Sequence, residues 1–322
     1  MKKILCFLLC ILMILSVAGC GKAETLKFGF GVYVETPSAT NAGEKDGQGK
    51  VSMTAAAISV DANGKIVACT LDAIDVTAKY NAEGKAIASD SFKTKYELGN
   101  NYNMKAHAGS AKEWFEQADA FETLVIGKTL SEVKALAAGD GKGTDAVINA
   151  GCTIAINVFV SAIEKAYNNV ADSNVTADHA LKIGTFTEQT CADATEEKNG
   201  SNKVATTFFA AAVDADGKVV AASSDCVEVT FTFDTAGAST FDATKKVESK
   251  KEKGANYGMV AHAGAAKEWF EQAAAFDATC VGKTASEITA LMGADNYGTD
   301  ALKSVGCTIL VNGFVKAAAK IG

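Results

Sequence analysis

The chain has 322 residues, 48% hydrophobic and 21% charged, with a formal charge of −7 and no arginine. With lysine as its only strong base and a negative balance, it lacks the electrostatic footprint of a nucleic-acid binder, and that class of function is excluded. The length suits about two domains of ~150 residues each, and the composition is that of a globular rather than a disordered chain.

At the N-terminus, Lys2 and Lys3 precede an apolar run from Ile4 to about Val17. The run is short for a bilayer span, and small residues come after it, as in a secretory signal. It ends in Val17-Ala18-Gly19-Cys20, which resembles the lipobox of bacterial lipoproteins. That resemblance implies a signal peptide over residues 1–19, cleavage before Cys20 and a diacylglycerol on its thiol. The alternative is an ordinary secretory signal with an incidental cysteine. Buried acyl methylenes contribute ~0.8 kcal/mol each, so a lipidated Cys20 would anchor the protein to the cell membrane with its mass extracytoplasmic. Losing Lys2 and Lys3 makes the mature chain two charges more negative.

A repeat of roughly 155 residues dominates the rest of the chain. Residues 101–167 align without gaps on residues 256–322, with about 38 of 67 positions identical. The densest block is Ala106–Phe121 against Ala261–Phe276. The period is far too long for a solenoid, so this is a tandem duplication: domain 1 over residues 25–168, a polar linker over 169–177 and domain 2 over 178–322.

In chain order, each copy reads β first and helix second. Val51–Val60 and Lys65–Val76 flank Asp61-Ala62-Asn63-Gly64, a hairpin signal repeated as Val204–Val213, Asp216-Gly217 and Lys218–Val229. Trp114, Ala118 and Phe121 then form an apolar helical stripe. Thr129-Leu130-Ser131-Glu132 and Thr284-Ala285-Ser286-Glu287 fit capping boxes. After a Gly-Thr-Asp turn, Gly151–Ile156 reads as a short strand, and Asn157 and Asn312 as N-caps of a last helix. The predicted fold is α+β: two tandem copies of a small domain, each a half-covered antiparallel sheet with flanking helices.

The six cysteines beyond the N-terminal region are Cys69, Cys152, Cys191, Cys226, Cys280 and Cys307, and only Cys152 and Cys307 occupy matching places. A stapled domain would repeat its bridges with its fold, so these read as free, mostly buried thiols. No Cys or His spacing suits a metal.

The duplication keeps Gly143-Thr144-Asp145-Ala146 and Gly151-Cys152-Thr153-Ile154 as Gly298-Thr299-Asp300-Ala301 and Gly306-Cys307-Thr308-Ile309. This segment, with an apolar helix after it, resembles the flavinylation segment of FMN-binding domains, found in bacterial electron-transfer lipoproteins and respiratory redox pumps. Their motif is Asp-x-x-Ser/Thr-Gly-Ala-Thr, with FMN in phosphoester linkage on the last threonine. Here Ala150 and Val305 replace the Ser/Thr, Cys152 and Cys307 the alanine, and the aspartate lies two residues further upstream. The resemblance implies attachment at Thr153 and Thr308. Gly151 and Gly306 would permit the bend that exposes the hydroxyl, Cys152 and Cys307 would be the small neighbours, and Asp145 and Asp300 would orient the loop. Otherwise the segment is a glycine turn into a buried strand, with Cys and Thr as fillers.

His107 and His262, in His-Ala-Gly before the Lys-Glu-Trp-Phe-Glu-Gln block, are candidates to meet a phosphate. Trp114 and Trp269 could stack on a flavin but equally fit core packing, as do Tyr102 and Tyr257. The expected function is a membrane-tethered electron carrier with up to two covalent FMN groups rather than a stand-alone catalyst. It would pass electrons from a quinol-linked membrane donor to extracellular acceptors after modification by a flavin transferase. The alternative is a non-enzymatic lipoprotein that binds a solute or partner. Paired nucleophile, acid and base residues are missing, which argues against a hydrolase.

Overall fold

The computed structural model describes residues 24–89 and 91–322, so the lipobox and Cys20 lie outside the described residues. In the first copy, β1 (Leu26–Val34), β2 (Ser38–Thr40), β3 (Gly47–Val60), β4 (Ile66–Tyr80) and β5 (Ala86–Ile87) precede six helices. These are α1 (Lys95–Leu98), α2 (Met104–Ala108), α3 (Trp114–Val125), α4 (Leu130–Lys134), α5 (Asp145–Ala150) and α6 (Asn157–Asn168). After β6 (Ala171–Val175), the second copy repeats the plan with β7 (Ala180–Ala192), β8 (Gly200–Val213) and β9 (Val219–Phe233). Its helices are α7 (Lys250–Lys253), α8 (Met259–Ala263), α9 (Trp269–Cys280), α10 (Ala285–Thr289), α11 (Asp300–Ser304) and α12 (Asn312–Ala318). The fold is α+β.

Both sheets are antiparallel, ordered β5-β4-β3-β1-β6 with β2 beside β3, and β7-β8-β9. The hairpin turns form where the sequence places them. Asp61 Oδ1 accepts from the Asn63 and Lys65 amides at 2.9 and 2.8 Å. Asp214 Oδ1 accepts from Asp216 and Lys218 at 3.0 and 2.8 Å. Gly64 and Gly217 supply the positive φ that closes each turn. Strand β6 forms within the polar stretch after the first copy and pairs with β1 through Lys27↔Asp172 and Phe28↔Ala171.

Neither sheet is half-covered. One face of β3 and β4, with Ala56, Ile58, Leu71 and Ala73, packs under α3–α6. One face of β8 and β9, with Phe209, Ala211 and Cys226, packs under α9–α12. The opposite faces meet each other in a shared core of Phe28, Phe30, Met53, Ile74, Phe208 and Phe231. The protein is therefore four layers, helix–sheet–sheet–helix, and strands buried on both faces explain the unbroken apolar runs in β3 and β8.

The contact between copies is self-complementary. The Ala42 amide donates to the Gly237 carbonyl at 2.8 Å, and the Ala194 amide to the Gly84 carbonyl at 2.8 Å. Lys165 pairs with Glu252, and its counterpart Lys320 with Glu97, at 2.5 and 2.6 Å. The corresponding residues Tyr80 and Phe233 stack on each other with ring centroids 4.3 Å apart. Contacts that repeat with partners exchanged are the signature of a two-fold relation.

Residues 151–156 form no strand. The α5 helix ends at Gly151, whose φ of 102° turns the chain, and the amides just after it find a side chain rather than a strand. Asn157 and Asn312 are likewise not N-caps: Ile156 and Val311 cap α6 and α12, and each asparagine is the first helical residue. The Asn312 amide instead donates to the Glu188 carboxylate at 3.2 Å.

Candidate functional site

Thr153 and Thr308 are exposed, on the loops between α5 and α6 and between α11 and α12. The preceding glycines, at φ 102° and 92°, end α5 and α11 in the left-handed region. A Cβ on Gly151 would collide with the Lys112 ammonium, and one on Gly306 with that of Lys267. Cys152 and Cys307 turn inward and are wholly buried in the helical cores. Burial pushes each thiol up to about 11, so they are protonated packing groups near neutral pH, away from the loop surface. Asp145 and Asp300 are exposed at the first turns of α5 and α11, where a carboxylate suits the helix N-terminus. Thr144 and Thr299, the N-caps of those helices, are half-buried.

The loop is held by a residue outside the repeated glycine–cysteine–threonine segment, one that sequence reasoning alone does not single out. Gln117 projects from the apolar stripe of α3 and is fully buried. Its Oε1 accepts from the Thr153 amide at 2.8 Å, the Thr153 hydroxyl at 3.0 Å and the Ile154 amide at 3.2 Å. Its Nε2 donates to Ser110 Oγ at 3.0 Å and to the Lys112 carbonyl at 3.2 Å. The second copy repeats the device: Gln272 Oε1 accepts from the Thr308 amide and hydroxyl at 2.8 and 3.1 Å, and its Nε2 donates to the Lys267 carbonyl at 3.0 Å.

The next residues of the block fix its surroundings. The buried Glu113 carboxylate accepts from the Met104 amide at 2.8 Å, and Glu268 from the Met259 amide at 2.9 Å. These bonds pin the short helices α2 and α8, which carry His107 and His262, to the start of α3 and α9. Both histidines are exposed. His107 Nε2 lies 3.3 Å from Asn103 Nδ2.

In the second copy, His262, Thr308, Gln272 and Trp269 line one open groove of about 600 Å³, together with Lys250 and Tyr257. Trp269 is also core, stacked on Phe314, as Trp114 packs edge-on against Phe159. A smaller cavity of about 220 Å³ adjoins the groove, sharing Lys250, Trp269 and Leu310 and adding Glu188, Lys203 and Glu228.

Each copy carries a matched cation–aromatic cluster, which in the second copy lines the same groove as Thr308. The Lys95 ammonium is 3.2 Å from Asp75 and lies 5.0 and 5.7 Å from the Tyr102 and Trp114 ring centroids. Lys250 is 3.1 Å from Glu228 and 4.9 and 5.4 Å from the Tyr257 and Trp269 centroids. Burial works to lower both lysines, but their acidic and tyrosine neighbours, with Cys226 also beside Lys250, outweigh it and raise them. Both ammonium groups therefore stay charged within partly apolar walls. The sequence signal was Thr94-Lys95-Tyr96-Glu97 repeated as Ser249-Lys250-Lys251-Glu252: two capping boxes that begin α1 and α7 and carry the lysine.

Among the described residues there is no cluster of His, Cys, Asp and Glu suited to a metal, and no helix is long and apolar enough to cross a membrane. The six cysteines of these residues are free thiols.

No family model matches the chain, and no solved structure matches it. Over 97 residues it is 34% identical to a chlorophenol reductase of Desulfitobacterium hafniense, covering 26% of this chain and 30% of that protein. The chain thus spans less than a third of the curated relative it matches, and over that part it is a weak relative of a reductase.

Proposed function

We propose that this protein is a membrane-tethered, extracytoplasmic electron carrier bearing FMN in phosphoester linkage on Thr153 and Thr308. The observation that carries the reading is a repeated one: each exposed threonine is held by a buried glutamine, and each copy carries a matched lysine–tyrosine–tryptophan cluster, which in the second copy shares the threonine's groove. The partial likeness to a reductase supports a redox role, and the lipobox supports the tether at Cys20.

The residues fit the group. A flavin needs an anchoring oxygen, a flat apolar wall and a polar partner for its ring carbonyls. Thr308, Tyr257 with the exposed Leu310, and Lys250 would supply these in a groove whose volume lies within the usual range for small-molecule sites. His262, on the same groove, is available to the phosphate. When bound, the flavin would supply the storage of electrons, and the protein would supply position and electrostatics. Lys95 and Lys250 keep a positive charge in surroundings less screened than water, which favours added negative charge nearby. Electrons would come from a quinol-linked membrane donor and leave to extracellular acceptors, with a flavin transferase as the modifying partner.

The test is intact mass after co-expression with a flavin transferase. Thr153→Ala and Thr308→Ala should each remove one FMN increment, and the double variant both. Valine at either position should remove the same increment while stability stays within ~1–2 kcal/mol of wild type, separating lost chemistry from lost packing. Flavin mapped to Thr144 or Thr299, or two flavins surviving in the double variant, would overturn the assignment.

A further inference from the structure

We infer that Gln117 and Gln272 are positioning residues that present the threonine hydroxyl to the modifying enzyme. This rests on the flavinylation reading. A polar side chain on the buried stripe of a helix needs partners for both of its groups. Gln117 has them. Its Nε2 is anchored at its own helix entry, so its Oε1 is a fixed acceptor facing the loop. Three loop donors converge on that single oxygen: two backbone amides and the Thr153 hydroxyl. The amides alone would tether the loop. The hydroxyl is a third, otherwise solvated group drawn onto the same point, and Thr308 repeats this on Gln272.

The consequence is a surface nucleophile whose side-chain rotation is settled before any enzyme arrives. With its hydrogen directed inward to the amide oxygen, the Thr153 oxygen turns its lone pairs outward. In the transfer, that oxygen forms a bond to the flavin-side phosphorus of a flavin dinucleotide. The P–O bond to the other phosphate breaks and the nucleoside monophosphate leaves; as the new bond forms, the threonine hydrogen leaves the glutamine oxygen by rotation about the threonine C–O bond and passes to a base of the transferase. The glutamine is no base. It fixes the distance and direction of attack, the part of the barrier that orientation lowers.

The experiment uses the full chain, co-expressed or incubated with transferase and flavin dinucleotide, with site-resolved peptide mass as readout. Gln117→Met keeps the length and volume of the side chain on a buried stripe but accepts no such bonds. Flavin at Thr153 should fall on the order of tenfold in rate, through kcat with the protein-substrate KM nearly unchanged, while Thr308 is modified normally. Gln117→Glu, held neutral by burial, keeps an acceptor oxygen for the loop and an O–H to donate to the Lys112 carbonyl, and should restore most of the rate. Gln272 variants should show the mirror result at Thr308.

Undiminished modification of Thr153 in Gln117→Met would overturn the inference and leave the flavin assignment intact. Wild type without flavin at either threonine would overturn both. If Gln117→Met loses both flavins it has failed to fold, and the glutamate variant decides. Flavin on Thr153 there supports the positioning role, and an unmodified Thr153 beside a modified Thr308 refutes it.

Discussion

Lys105, Lys142, Ala150 and Ala155 stand on the exposed surface of the first copy; at the same four places in the second stand Val260, Tyr297, Val305 and Leu310, each at least 40% exposed. The threonine loops, the glutamines beneath them and the cation–aromatic clusters are held in common. The duplication has thus preserved the surroundings of each threonine and let the rims diverge: the first carries mostly lysine and small residues with one exposed Ile148, the second four exposed apolar side chains. Clustered exposed apolar groups mark surfaces that meet something. The two copies therefore differ in what can approach them rather than in what they hold.

The largest expected effect comes from the feature that joins the copies. Phe231 is fully buried in the shared inner core, and a Cβ on Gly49 of the other sheet would strike its ring. Phe231→Ala should cost about 3–5 kcal/mol in urea unfolding. Because that core belongs to both sheets, it should lower the melting of both copies together. Two separate transitions, with the first copy unmoved, would show that the copies are energetically independent.

A second difference lies between α1 and α3. In the first copy, burial pushes the Glu122 carboxyl up to about 8, with Asp119 and Asp72 adding to the shift. Its one strong bond is from the Leu71 amide at 2.7 Å. In the second copy the corresponding Asp277 accepts from the Ser224 amide at 2.9 Å and has the Lys251 ammonium 3.9 Å away, where the first copy has Tyr96. A carboxyl raised on folding stabilises most fully below its unfolded value, and that contribution is lost as pH rises through the folded value. Relative to wild type, Glu122→Gln should therefore gain melting temperature steadily between about pH 4.5 and 8, and differ little below that window. Burial raises the Asp277 carboxyl too, but Lys251 and the Ser224 bonds work against it, so Asp277→Asn should gain less than Glu122→Gln over the same rise in pH. The same pH profile for both variants would erase the distinction.

The smallest effect concerns the rims. Replacing Val260 and Tyr297 by lysine and Val305 and Leu310 by alanine writes the first rim onto the second copy. Stability should move by no more than about 0.5 kcal/mol per site, as at other exposed positions. Binding of an apolar fluorescent dye should fall markedly. An unchanged dye signal would show that this patch is not the accessible apolar surface of the molecule.

Much of the fold is readable in the residues, and the failures have physical causes. The hairpins are legible because Asp-x-x-Gly-Lys and Asp-x-Asp-Gly-Lys turns are local. The alanine-rich runs Thr54–Val60 and Thr207–Val213 read as strands of a half-covered sheet, and that both their faces are buried depends on a partner surface some 150 residues away. Gly151–Ile156 has the apolar composition of a strand, and only the three-dimensional position of Gln117 makes it a loop. Gln117 is itself visible as a polar interruption of the Trp114, Ala118, Phe121 stripe. Its weight cannot be judged without seeing that its target is the threonine 36 residues on. Lys95 and Lys250 look like exposed helix-start charges, and only the sheet brings Asp75 and Glu228 beneath them.

The sheet-to-sheet two-fold relates the two helical layers, and with them Thr153 and Thr308, each loop lying over the helical core of its own copy. The molecule thus presents the same loop twice, and in that geometric sense it is bivalent.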